Sequence, residues 1–133
     1  MNKYLSACLA TAVVMIALDM LWLGVIAKPL YQQGLAHLMA ERPNWVAAVA
    51  FYGLYTLGLM VFAIVPNAAD PSWLKTTAAA AMFGLVAYAT YDLSNLATLK
   101  DWPIGLSLID MAWGALISAV SATAGRFAWD RFA

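Results

Sequence analysis

Four long apolar stretches run through the chain, each closed at both ends by charge: Lys3 to Lys28, Arg42 to Asp70, Lys75 to Lys100 and Asp101 to Arg126. Each has the length, about 20 residues, that a helix needs to cross a bilayer. The pattern predicts an all-α integral membrane four-helix bundle, one domain over residues 1–133 with spans near 4–27, 45–66, 73–98 and 104–127. Pro29, Pro43, Pro66, Pro71 and Pro103 fall at or beyond these ends, where a missing amide hydrogen costs least. Tight connections at 66–72 and 99–103 force neighbouring spans into antiparallel hairpins. In the longer Lys28–Asn44 connection, Leu30, Tyr31, Leu35, Leu38 and Met39 recur at roughly helical spacing, which predicts a short interfacial helix.

Composition sharpens this picture. Of the 133 residues 65% are apolar and 11% charged, too greasy a balance for an ordinary soluble domain, so the lipid bilayer is the expected partner. Seven basic and seven acidic side chains cancel, which removes the positive excess a nucleic-acid binder needs; no nucleic acid is expected. Cys8, the single cysteine, excludes an internal disulfide. No small-residue cleavage site and polar segment follow the first apolar run, so a retained span is expected rather than a signal peptide. Lys3, Lys75, Arg126, Arg131 and the amino terminus face Lys28, Arg42 and Lys100 across the expected membrane, a bias that favours both termini in the cytoplasm.

Three carboxylates lie inside the expected spans: Asp19, Asp92 and Asp110. An acid at the bilayer centre costs roughly 2.5 to 3.5 kcal/mol on insertion scales, so such residues face the protein interior and mark candidate sites. At about 1.5 Å per residue, Asp19 falls roughly 12 Å below the end of its span, with Asp92 and Asp110 about 9 Å below theirs. All three ends lie on one side, so the acids are expected in one layer near the Lys28–Asn44 loop. Tyr88 and Asn95 flank Asp92, and Ser107 and Trp113 flank Asp110, at helix-neighbour spacing. Tyr52, Tyr55 and Thr56 reach similar depth on the second span. Brought together in a low dielectric, at least one acid should hold a proton at neutral pH unless a cation sits among them.

Asp19-Met20-Leu21-Trp22 and Asp110-Met111-Ala112-Trp113 share the pattern Asp-Met-x-Trp in helices of opposite direction, as in an inverted repeat, although a chain with six tryptophans reaches such a match by chance. Trp22 and Trp113 stand beside aspartates and are expected to line a site. Trp45, Trp73, Trp102 and Trp129 sit at span ends as interface anchors. Gly114, Ser118, Ala122 and Gly125–Arg126 form a small-residue stripe, a contact face within the bundle, in a homo-oligomer or toward a membrane-complex partner. His37 has no metal-ligand spacing around it, and no nucleotide loop or nucleophile elbow occurs, so no metal site and no cofactor can be named.

The run Tyr91-Asp92-Leu93-Ser94-Asn95-Leu96-Ala97-Thr98-Leu99-Lys100-Asp101-Trp102-Pro103, with Asp110-Met111-Ala112-Trp113-Gly114, Asp19-x-x-Trp22-x-Gly24 and Tyr31-Gln32-x-Gly34, resembles an uncharacterised bacterial family of small membrane proteins known as a domain of unknown function. The resemblance covers nearly the whole chain. It implies four spans in a bacterial cytoplasmic membrane and association with lipid-modifying neighbours, and supplies no reaction. Three classes of function fit the residues. The first is binding or moving a lipid headgroup, cation or amphipathic metabolite at a site built from Asp19, Trp22, Tyr88, Asp92, Asn95, Asp110 and Trp113. The others are a lipid-modifying enzyme or its partner, and a structural subunit without a ligand. The acid layer favours the first, because an enzyme more often shows a nucleophile or metal triad.

Overall fold

The computed structural model describes residues 1–133 as helices joined by short turns, with no strand. Asn2 caps the first helix, α1 (Lys3–Leu21), accepting from the Tyr4 amide at 2.7 Å. At Trp22 the helix widens into a π-turn, Trp22–Ile26. A short helix, α2 (Lys28–Leu35), follows with Pro29 in its first turn, where proline costs nothing. Asn44 caps α3 (Trp45–Leu59), which ends in a second π-turn, Met60–Ile64. The last two helices, α4 (Leu74–Thr98) and α5 (Ile104–Phe132), form a long antiparallel hairpin.

The sequence pattern led to four helices, and the fold has five: α2 is the helix expected in the first long connection. Lys3–Ile26, Trp45–Asn67 and Ile104–Phe132 are long and apolar enough to cross a membrane. The 25-residue α4 is long enough but more polar. Three of its hydroxyls turn back on their own helix, from Thr90 to the Val86 carbonyl at 2.7 Å, from Ser94 to that of Thr90, and from Thr98 to that of Ser94 at 2.9 Å, and so stay satisfied without water. The fourth stretch also runs past its expected end at 127, to Phe132.

The surface of the bundle is unlike that of a soluble protein. Eleven of the 28 buried residues are polar or charged, while Val46, Leu54 and Leu74 are more than 70% exposed. An apolar coat, with polar side chains turned inward, is what hydrocarbon solvent selects. The small-residue stripe is spent inside the bundle. A Cβ on Gly84 would lie 2.1 Å from the Gly114 carbonyl, and one on Gly125 would lie 2.0 Å from the Thr11 hydroxyl, so glycine is what lets α5 touch α4 and α1. Trp129 departs from the anchor reading: it is buried, with Tyr4 edge-on at 4.7 Å and the Lys3 ammonium 4.9 Å above its ring.

Candidate functional site

Because α1 and α5 run in opposite directions, their two Asp-Met-x-Trp segments meet head to tail. The Trp22 and Trp113 rings stack with centroids 4.5 Å apart and planes within 6° of parallel. Asp19 precedes Trp22 on one helix and Asp110 precedes Trp113 on the other, so the two acids lie on opposite sides of the stacked pair. Three residues of rise on each helix separate them by about 9 Å along the helix axes. The single acid layer expected from span ends is therefore two tiers. Counting from span ends missed this because the relative depth of the two acids depends on how α1 and α5 slide past each other, which the Trp22–Trp113 stack fixes.

In the deeper tier, both oxygens of buried Asp19 accept a hydrogen bond, Oδ2 from the Tyr52 hydroxyl of α3 and Oδ1 from Trp113 Nε1 at 3.3 Å. In the upper tier, Tyr31 reaches back from α2 and donates to Asp110 Oδ1 at 2.7 Å. Burial, with the bond to Asp110 next, pushes the Tyr31 hydroxyl above its ordinary value, so it remains a donor. Asp92, only 2% exposed, stands at the level of Asp110 in the α4–α5 hairpin, each six residues from its end of the connecting turn, and its Oδ2 has no partner. Two carboxylates only accept; a bond between them requires a proton on one. Trp22 Nε1, on the cavity wall, is likewise without a partner.

A cavity of about 600 Å³ joins the tiers. It exists because α3 packs on α1 but approaches α4 chiefly through its C-terminal π-turn, Met60–Ile64. Aromatic rings occupy the gap above. Tyr55 shares a 2.6 Å hydrogen bond with Ser118 and stands edge-on to Phe83 at 5.2 Å and Tyr88 at 6.1 Å. Tyr88 enters over Gly114, where a Cβ would lie 2.2 Å from its ring. Phe51 and Tyr52 close one wall, Tyr91 and Trp22 another, and Asp19 and Asp110 are the cavity's only charges.

Asp19, Trp22, Tyr88 and Asp110 thus line one cavity, with Trp113 behind Asp19 and Asp92 behind Asp110. Asn95 is half-buried and outside it. Ser107 accepts from Trp102 Nε1 at 2.9 Å and donates to the Pro103 carbonyl, bracing the start of α5. His37 is exposed and outside the cavity. Sequence reasoning left out Tyr31, Phe51 and Tyr91 as wall residues. For Tyr31 a signal existed in the Tyr31-Gln32-x-Gly34 stretch: a Cβ on Gly34 would press on Pro103 at 3.0 Å, so this glycine seats α2 against the start of α5.

At the opposite end of the bundle, Arg126 is 2% exposed. Its guanidinium donates to the Asn67 carbonyl at 2.9 Å, the Asp70 carbonyl, Thr76 Oγ1 at 3.2 Å and Asp130 Oδ1 at 3.1 Å. It pins the α3–α4 turn to α5. In the same turn the Ser72 amide, then Lys75 at 3.0 Å, hold the Asp70 carboxyl below the usual carboxylate range. Arg126→Met is expected to leave these carbonyls bare and cost about 2–4 kcal/mol, read as a lowered melting temperature in detergent, with little effect on the distant cavity.

The sequence profile of a family described as "Predicted membrane protein (DUF2177)" matches residues 4–127. No curated protein and no solved structure matches the chain.

Proposed function

The chain belongs to the DUF2177 family of predicted membrane proteins, and on that premise we propose that it binds an amphipathic organic cation in the cavity between α1, α3, α4 and α5. One observation carries this reading: two buried carboxylates, Asp19 and Asp110, face a 600 Å³ space walled mainly by aromatic rings. Ring faces attract cations at about 0.5–2 kcal/mol each, more when desolvated, and quaternary ammonium groups are the ligands such cages take. The carboxylates supply charge, and the apolar walls receive the ligand's hydrocarbon. The volume suits a molecule of drug size. A neutral lipid would leave both acids uncompensated, and an inorganic cation would leave most of the rings unused.

The probe is tetraphenylphosphonium, measured by equilibrium dialysis against the purified full chain in detergent. Saturable binding is expected, with competition by tetrabutylammonium and none by tetraphenylborate, which has the same shape and opposite charge. Equal uptake of both ions would reject a cation site.

The reading includes α4 as a fourth span and both termini on the cytoplasmic side of a bacterial cell membrane, supported by the basic residues near the termini and by the back-bonded hydroxyls of α4. Single cysteines at positions 2, 36, 69 and 132, in a chain with Cys8 replaced by alanine, are expected to place 36 on one side and the other three on the opposite side. Labelling of 36 and 69 from the same side would contradict it.

A further inference from the structure

We infer that Asp92 and Asp110 together hold one proton, and that an organic cation entering beside Asp110 expels it, so that the protein exchanges one cation for one proton. The second half rests on the cation reading given above; the first does not. The two carboxyls are buried, one 2% and the other 5% exposed, and each stands six residues from the α4–α5 turn, Asp92 before Thr98 and Asp110 after Ile104, which sets them at one level of the antiparallel hairpin. The groups facing them supply no positive charge. Asp19 and Trp22 stand on the α1 side, Tyr31 on α2, Tyr52 and Tyr55 on α3, and Tyr88 and Tyr91 on α4. Both ion pairs of the protein, Lys75 with Asp70 and Arg126 with Asp130, lie at the other end of the bundle. Like charges side by side at one level of a dry interior cannot both stay ionised, so a proton takes the place of a cation.

The Asp92 Oδ2 atom, unpartnered and fully enclosed, is the second mark of such a site: it is the position that stays unsatisfied until a proton or cation arrives. Only Asp110 of the pair lines the cavity. With the proton in place the pair carries one negative charge. With the proton gone and a monovalent cation beside Asp110, two carboxylates and one positive charge again sum to minus one. The O–H bond of the carboxylic acid breaks, the proton passes to water, and no electron moves. Conserving charge makes one-for-one exchange the arrangement with the smallest desolvation penalty. Tyr31 is half-buried and bridges Asp110 to α2, which puts the proton's exit on the side of the Lys28–Asn44 loop.

Two measurements on the purified full chain separate this inference from the cation reading. Infrared spectra of the ligand-free protein are expected to show a deuterium-sensitive protonated-carboxyl band at neutral pH, lost in Asp92→Asn. Tetraphenylphosphonium added to weakly buffered protein with an indicator dye is expected to release about one proton per cation bound, with affinity rising about tenfold per pH unit while the pair is protonated. These release and pH measurements need only the wild-type chain, so a poorly folding variant does not block the test. Absence of the band, or cation binding without proton release, overturns the inference. A band present with no cation binding at any pH establishes the proton pair and removes both the exchange and the cation reading.

Discussion

Gly84→Leu is expected to abolish the native bundle. A Cβ at this position would sit 2.1 Å from the Gly114 carbonyl oxygen, 2.4 Å from Ser118 Oγ and 2.7 Å from Ser118 Cβ. The nearest obstacle is backbone of a helix that is itself packed, so no rotamer change relieves it. Even alanine requires α4 and α5 to move apart, at about 1–3 kcal/mol, the range measured for overpacked cores. Leucine would wedge the pair open along the face that also carries Tyr88 and the Tyr55–Ser118 hydrogen bond. Unfolding in mild detergent, followed by circular dichroism and size exclusion, should show Gly84→Ala melting early and Gly84→Leu aggregated. Gly105→Ala is the matched control, since nothing lies within 4 Å of a Cβ there.

The second large effect divides a working site from a structural brace. Asp110→Leu removes the acceptor of the half-buried Tyr31 hydroxyl and leaves that donor unpaired, at about 1–3 kcal/mol. Asp110→Asn keeps an acceptor of nearly the same shape. If Asp110 only ties α2 to α5, Asn should preserve both fold and any cellular phenotype while Leu lowers stability. If Asp110 holds charge for a cation and shares a proton with Asp92, Asn should leave a folded protein that loses tetraphenylphosphonium affinity by at least about tenfold, or 1.4 kcal/mol. The second pattern is expected. A stable, fully active double Asn variant at 92 and 110 would establish the brace.

The helix ends were legible because charges mark them: α3 begins at Trp45, α4 ends at Thr98 and α5 begins at Ile104, the expected positions. Arg126 was misleading for the same reason. It reads as a boundary charge, yet the carbonyls of Asn67 and Asp70 solvate it as water would, so the helix continues past it. The acids were legible as interior residues, since polar side chains in a span have nowhere else to go. Their tiering was not, because it depends on how α1 and α5 slide past each other, which Trp22 and Trp113 fix by stacking across 90 residues of chain. Tyr31 was hidden for a similar reason: helical spacing in a loop places a helix but does not say that it folds back onto a span. The cavity itself comes from the lean of α3, and no pattern in residues 45–59 encodes that tilt.

In the proposed cation site, the charge of the cavity serves a ligand. The most direct measurement is tetraphenylphosphonium affinity of Asp19→Asn beside wild type, each at a temperature equally far below its own melting point. Asn retains an acceptor for the Tyr52 hydroxyl or Trp113 Nε1 and removes the charge. A folded variant is expected, with affinity lower by at least about tenfold. Unchanged affinity, or no saturable binding by the wild-type protein, would contradict it.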